Sequence, residues 1–328
     1  MEKVMMNFAF IGAGRMANVH AKELKDMENV KIAGVYDPSS EAANKFSEEY
    51  SVAKQYSSIS ELAADASIDV VLVCNFTDQH YETLVELLNA GKKKIFCEKA
   101  LVRHLKDGED LVKRAQAAGA QIMVGHHRRY NNGYAKIKEM IESDRLGKIR
   151  MVKIALSHPG YTREWGDFFS DFERCGGVIL DMMTHLFDVC NWYFGEPGMI
   201  SGDSIMFDRS QPLPMDFVSG TLTYKSGVIC NINCSWQRYG VAYDQIEVYG
   251  DKACAIFDLS DKVHLYQKGE HTEITVGKSS AYPDQMKALV DMASEGKEPL
   301  TALIDGFNSV KVGLTMIDAV KQHKTLEI

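Results

Sequence analysis

Along the first 125 residues, short apolar runs alternate with stretches of helical periodicity. Residues 7–11 are apolar and short, and are followed by glycines and a helical stretch to about residue 27. A second strand is expected over 31–36, then Pro38 and a helical run over 41–50. Residues 69–75 (DVVLVCN) form a continuous apolar strand. A helix over 80–90 stops at Gly91, and residues 94–97 form another strand. A helix over 105–118 stops at Gly119, and 120–125 close this half. Strands that are apolar throughout, each followed by a helix, predict a parallel sheet covered on both faces.

The pattern changes after Gly125. Residues 132–143 read as a helix and 150–157 as a strand. Residues 179–194 read as a helix that ends at Gly195, with Pro197 beyond it, a strong stop signal. From 217 to about 276 the chain reads as consecutive alternating strands: VSGTLTY, VICNINCSW, DQIEVYG, ACAIFDL and KVHLYQ. Such runs predict a largely antiparallel sheet. Helices over 284–294 and 304–323 close the chain. The expected fold is α/β: an N-terminal doubly wound domain over 1–126, and an α+β domain over 127–328 that serves substrate binding and oligomerisation. An antiparallel sheet with one available face suits a homodimer or homotetramer.

Composition narrows the function. A formal net charge of −8 argues against a nucleic-acid partner, because phosphates are bound through clustered positive charge. No apolar run reaches the roughly 20 residues that a bilayer requires, so no membrane association is expected. The seven cysteines are scattered. Cys230 and Cys234 lie on one face of a strand, roughly 13 Å apart at about 3.3 Å per residue, too far for a disulfide. Free thiols suit the cytoplasm. No CxxC, HExxH or EF-hand loop occurs, and His126 and His127 would point to opposite faces of a strand, so no metal is expected.

Gly12-Ala13-Gly14-Arg15-Met16-Ala17 follows the first strand and opens the first helix. It fits GxGxxG/A, in which the glycines give a tight turn and let a pyrophosphate approach the helix N-terminus. Asp37 ends the second strand, 20 residues after Ala17, where a carboxylate accepts from ribose hydroxyls. A 2′-phosphate would meet like charge there, so NAD is expected over NADP. Two further elements offer chemistry. Lys99 follows a buried strand, where ligands of such sheets bind, though alone it reads as a surface lysine. Asp181 and His185 are spaced i, i+4 on one helical face, extended by Asp188. Alone they read as a structural hydrogen-bonded pair.

Taken in order, GAGRMA with His20, Asn75-Phe76-Thr77, AGKKKIFCEKAL, Arg128-Arg129-Tyr130-Asn131, LGKI, GGVILDMMTHLFD and YDQIEVYG resemble the glucose–fructose oxidoreductase / inositol dehydrogenase (Gfo/Idh/MocA) family. The resemblance implies a dehydrogenase acting on CH–OH groups of a sugar or polyol, with Lys99, Asp181 and His185 as catalytic residues. The implied cofactor set is Gly12, Gly14, Arg15, Met16 and Asp37, then Asn75, Thr77 and His80, then Glu98, Lys99 and Arg128. Substrate contacts are expected from Lys99, His158, Trp165, Asp181, His185 and Tyr243. His20, His126 and His127 are expected to be structural or supporting. Two departures stand out: Ala100 replaces the family's proline, whose peptide is often cis, and Asp78 replaces the proline common after Thr77. Two other readings share these motifs. One is an enzyme that holds NAD tightly and cleaves or modifies a glycoside through transient oxidation. The other is a non-enzymatic NAD sensor, which would be expected to lose the catalytic groups.

Overall fold

The computed structural model describes residues 5–158, 168–205, 217–236 and 242–328. The chain folds as two compact units. The first holds the chain up to His127 together with Tyr282–Phe307, and the second holds Arg128–Ala281 and Asn308–Ile328. The expectation of a single division near residue 126 is thus corrected: the chain returns to the first unit. The reason is an edge strand that needs covering. The Val124 N–H donates to the Thr301 carbonyl, and the Thr301 hydroxyl donates to the Val124 carbonyl at 2.8 Å.

In the first unit, β1 (Met6–Ile11), α1 (Arg15–Leu24), β2 (Val30–Tyr36), α2 (Ser40–Tyr50), β3 (Lys54–Gln55) and α3 (Ile59–Ala64) make the first half. They are followed by β4 (Val70–Val73), α4 (His80–Asn89), β5 (Lys94–Cys97), α5 (Leu105–Ala118) and β6 (Gln121–Val124). The six strands are parallel, in the order β3-β2-β1-β4-β5-β6. Phe8, Phe10, Val70, Leu72, Ile95 and Phe96 are fully buried, as a sheet covered on both faces requires. The strand order reverses at β1 and β4, so their carboxyl ends flank the crevice where such sheets bind ligands. β3 and α3 have no counterpart in the expected elements, because 51–68 is short and polar. His126 and His127 do not sit on a strand: they follow β6, and His127 opens a 3-10 turn, His127–Tyr130.

The second unit contains α6 (Asn132–Glu142), β7 (Ile149–Ser157), α7 (Phe172–Cys175), α8 (Thr184–Phe194) and β8 (Met199–Ile205). The strands β9 (Phe217–Thr223), β10 (Ile229–Ser235), β11 (Tyr243–Gly250), β12 (Cys254–Phe257), β13 (Lys262–Gln267) and β14 (Glu270–Thr275) follow. The helix α9 (Ala281–Glu295) belongs to the first unit but for Ala281, α10 (Leu303–Gln322) belongs to the second from Asn308 on, and the short β15 (Leu326–Glu327) ends the chain. The nine strands order as β14-β13-β12-β11-β7-β10-β9-β8-β15. Only β7 and β10 pair in parallel. Alternate residues such as Ile154, Ile232, Cys234 and Ile246 are buried on the face covered by helices. Gly202 and Gly220 lie side by side there, and a Cβ on either would sit 2.5–2.6 Å from the tip of Met316 on α10.

The expected helix over 179–194 is present, but its opening differs. Ile179–Met183 winds as a π-turn before α8 begins at Thr184. Single π-turns within helices recur at functional sites. Asp188 on α8 is fully buried and receives Nε (3.0 and 3.1 Å) and Nη2 (2.8 Å) of Arg129. Its place on the Asp181–His185 face is therefore spent on holding the 3-10 turn. Removing one partner of such a buried pair strands the other charge, at a cost of about 3–5 kcal/mol. Asp188→Ala should destabilise the protein by about that amount in urea unfolding; a loss within experimental error would show that the pair is not structural.

Candidate active site

The site residues divide between the two units. In the first unit, Gly12 has φ +94°, and a Cβ there would lie 2.7–2.8 Å from the backbone of Cys74 and Asn75 beyond β4. Only glycine permits both. Gly14 is different: it caps α1, and a Cβ there would meet nothing within 4 Å. The carbonyls of Ala13 and Gly14 accept from the Asn18 side chain at 3.1 and 2.8 Å. No side chain caps the amides of α1, so the turn offers donors and open space, the combination an anionic pyrophosphate needs. Arg15 is exposed and Met16 half-buried at the start of that helix.

Asp37 stands beyond β2. One of its carboxylate oxygens accepts from the Ala13 N–H at 2.7 Å, and the other from the Ser39 N–H at 2.8 Å. A carboxylate has about four lone-pair sites, so capacity remains for ribose hydroxyls. Its hold on the glycine turn is a second role that the spacing alone does not reveal. Asn75 follows β4 and bonds Thr83 through its amide nitrogen at 3.0 Å, while its buried Oδ1 has no protein partner. Thr77 opens the turn Thr77–Gln79. His80 is fully buried, with Nδ1 2.8 Å from the Ala100 carbonyl and Nε2 3.2 Å from the Asn75 carbonyl. Burial lowers its pKa despite these carbonyls, which act to raise it, so it serves as a neutral brace and not as a proton carrier near neutrality.

Glu98 and Lys99 follow β5. Glu98 is buried, and its Oε1 lies 2.6 Å from Nε2 of the fully buried His20 on α1. Burial acts to raise the Glu98 pKa, but the hydrogen bond and charge of His20, with the charge of Lys99, outweigh it and hold the pKa below the ordinary value. Gly125 closes this pocket, since a Cβ there would sit 3.1 Å from the Glu98 carboxylate. The Lys99 N–H donates back to Glu98 at 3.1 Å, and the Lys99–Ala100 peptide is cis. Alanine therefore keeps the cis arrangement usual before the family's proline.

In the second unit, three strand ends converge. Ser235 at the end of β10 and Tyr243 at the start of β11 both pair with Ser157 at the end of β7. The exposed His158 continues β7 and donates its N–H to the Ser235 carbonyl at 3.1 Å. Trp236 continues β10, is fully buried, and donates Nε1–H to Oδ2 of Asp181 at 2.8 Å. Asp181 lies in the π-turn, and His185 is four residues further on, in the first turn of α8. The Tyr243 hydroxyl donates to Gln245 at 2.7 Å.

The structure thus gathers Asp181, His158 and Tyr243 around strand ends of one unit, with Trp236 tying Asp181 to them. Trp236 is the residue that sequence reasoning missed; its only signal is an aromatic ending the VICNINCSW run. Arg128 was expected to contact the cofactor. Its guanidinium instead makes a two-pronged pair with Asp244, with the Tyr134 hydroxyl as a further partner. Burial opposes its charge, but Asp244 and Tyr134 outweigh it and raise its pKa. Its Nε has no hydrogen-bond partner among the described residues. Trp165 lies outside the described residues.

Comparisons with known proteins agree with this layout. Residues 6–126 match the oxidoreductase family with an NAD-binding Rossmann fold, and residues 134–256 match the GFO/IDH/MocA C-terminal domain. The chain is 26% identical over 337 residues to myo-inositol 2-dehydrogenase of Thermotoga maritima, covering 98% of each chain. It is 30% identical over 306 residues to 4-carboxy-2-hydroxymuconate-6-semialdehyde dehydrogenase of a Sphingobium species, covering 90% of this chain and 92% of that one. An oxidoreductase from Agrobacterium radiobacter, solved with NAD+, L-tartaric acid and magnesium, shares the fold. It superposes with a TM-score of 0.89 at 16% identity, over 99% of this chain and 98% of that one. With both halves matched in order, this chain is a member of the Gfo/Idh/MocA family of oxidoreductases.

Proposed function

We propose that the chain is an NAD-dependent oxidoreductase that moves a hydride between a carbinol carbon of a sugar or polyol and nicotinamide. The observation that carries this reading is the end-to-end likeness to inositol 2-dehydrogenases, in a chain that keeps Lys99, Asp181 and His185. NAD, when bound, supplies the hydride acceptor. The turn Gly12–Met16 would hold its pyrophosphate and Asp37 its ribose. His185 takes the hydroxyl proton as general base, a task suited to imidazole near neutrality. Lys99 hydrogen-bonds the same oxygen and stabilises charge developing on it. Asp181 orients His185 and favours its protonated form, and Trp236 fixes Asp181. His158 and Tyr243, with Trp165, would contact the substrate.

The same reading includes two finer points. Asp37 favours NAD over NADP, through hydrogen bonds of about 1.5–3 kcal/mol to a charged acceptor and repulsion of a 2′-phosphate. The helix-free face of the nine-stranded sheet is the oligomer surface. Met199, Ile229, Met151 and Tyr249 form a row across it from β8 to β11 through successive paired positions. Met199 and Ile229 are 43% and 45% exposed, and an apolar row of this kind marks an interaction surface. A homodimer or homotetramer should form in light scattering; a monomer throughout would remove the assignment. No helix among the described residues is long and apolar enough to cross a membrane. All seven cysteines are free thiols, which suits the reducing cytoplasm.

NADH absorbance should rise when the purified protein and NAD meet an inositol, hexose or uronic acid. The panel should include a semialdehyde, because one relative is named for that substrate. Product without net NADH would point instead to a recycling enzyme. Lys99→Ala and His185→Ala should each lower turnover by about 10²–10⁴-fold while NAD still binds; near-native turnover in both would sink the mechanism. Trp236→Phe should lower kcat by about tenfold or more, the worth of a hydrogen bond to a charged acceptor, with KM for NAD unchanged. An equal loss in NAD affinity would reduce Trp236 to a packing residue. Asp37→Asn keeps an acceptor for the Ala13 N–H and removes the charge, so relative use of NADP should rise by about tenfold.

A further inference from the structure

The outermost hairpin of the second unit, β13–β14, carries a group of side chains that the proposed reaction does not use. Lys268 and Gly269 connect the strands with φ +50° and +83°, the two positive values of a tight two-residue hairpin turn. That turn pairs Gln267 with Glu270 and fixes every pairing beyond it. His264 falls opposite Glu273, and Tyr266 opposite His271. All four project from the same face, since Val263 and Leu265 between them are buried on the other.

The result is a preformed donor set. His264 Nδ1 lies 3.0 Å from His271 Nε2. The Oε1 atom of Glu273 lies 4.0 Å from His264 Nδ1. One ligand atom from each of the three residues falls within 4.8 Å of the others. With metal–nitrogen bonds of about 2.0–2.1 Å, two imidazole nitrogens on one ion stand about 2.9–3.4 Å apart. The two nitrogens therefore already have the spacing of ligands, and the carboxylate needs to close by at most about 1.5 Å to join them. Lys262 pairs with Glu273 through the other oxygen, Oε2, and leaves Oε1 turned towards His264. Tyr266 stacks on His271 at 4.5 Å and 10°, which holds that imidazole in place.

We propose that His264, His271 and Glu273 form a binding site for a first-row transition-metal ion such as Zn2+ or Cu2+. Two imidazoles and one carboxylate suit these ions and not Ca2+ or Mg2+, which prefer all-oxygen sets. Solvent completes the coordination, because the residues are partly exposed. The ion clamps β14, which among the described residues has only β13 as a neighbour in the sheet. Its binding therefore stabilises the free edge by mass action.

The test is equilibrium dialysis of the untagged, chelator-stripped full chain against ZnCl2, with CuCl2 loaded for electron paramagnetic resonance. One ion per chain is expected, with a copper signal split by two nitrogens. His264→Ala/His271→Ala should lose that splitting and bind zinc more than about tenfold more weakly, since even outer-sphere changes cost a metal site that much. Zinc should raise the Tm of the native chain and not that of the double variant. Equal Tm values in chelator would show that the variant is folded. Glu273→Gln, a single change on the exposed strand, should weaken zinc in the same sense. A native chain that binds no zinc overturns the site, leaving a hydrogen-bonded histidine pair only. Unchanged binding in the double variant also overturns it.

Discussion

A carboxylate buried at the end of a sheet strand must be held by donors, and the first unit is arranged around that need at Glu98. His20 reaches it from α1, the helix that opens on the glycine turn. The Lys99 N–H reaches it from the next residue, and Gly125 leaves it room. A buried charge lacking such partners costs several kcal/mol, so these groups cannot move independently. The consequence is positional. The helix that presents its amides to the cofactor and the backbone that presents Lys99 share one carboxylate. His80 adds a second tie: its ring packs between the carbonyls of Asn75 and Ala100 and donates its one N–H to one of them, between the loop after β4 and the backbone after β5.

The second unit meets the same problem by other means. Asp181 sits in a π-turn and accepts from the indole of Trp236. Arg128 pairs with Asp244 and Arg129 with Asp188. That division matters for chemistry. The indole N–H fixes the orientation of Asp181, and in the proposed mechanism the carboxylate charge favours protonated His185. The proposed roles of the three catalytic residues depend on this separation of structural from reactive carboxylates.

The legibility of the sequence follows from how locally each feature is determined. Residues 94–97 and 105–118 were expected and are found at those bounds, because an apolar run and a glycine stop act within a few residues. The glycine turn and Asp37 were legible for the same reason. β3 and α3 were not, because no apolar period marks them. β8, β14 and β15 carry weak alternation at the sheet margins and form by pairing with neighbours already in place. The return of Tyr282–Phe307 to the first unit was invisible, since amphipathic helices state that they pack but not against what. The π-turn, Trp236 and the hairpin donor set likewise depend on register and contact. His264 and Glu273 are neighbours only because a two-residue turn makes them so.

The same contrast separates the two halves of the site. On the proposed reading the cofactor is met mostly by backbone, in a turn where the path of the chain demands Gly12 and Gly14 leaves open space for an anion. The proposed substrate side is assembled from residues such as His158, Asp181, Trp236 and Tyr243, brought together by three strand ends and one helix opening. Substitutions there alter a surface without disturbing a core. Relatives of this chain at 26% and 30% identity accordingly carry names for an inositol and for a semialdehyde. The residues proposed for chemistry, Lys99, Asp181 and His185, stand just after β5, in the π-turn and in the first turn of α8. On the proposed reading, specificity is left to the segments that enter from the strand ends, and chemistry to positions set by regular elements.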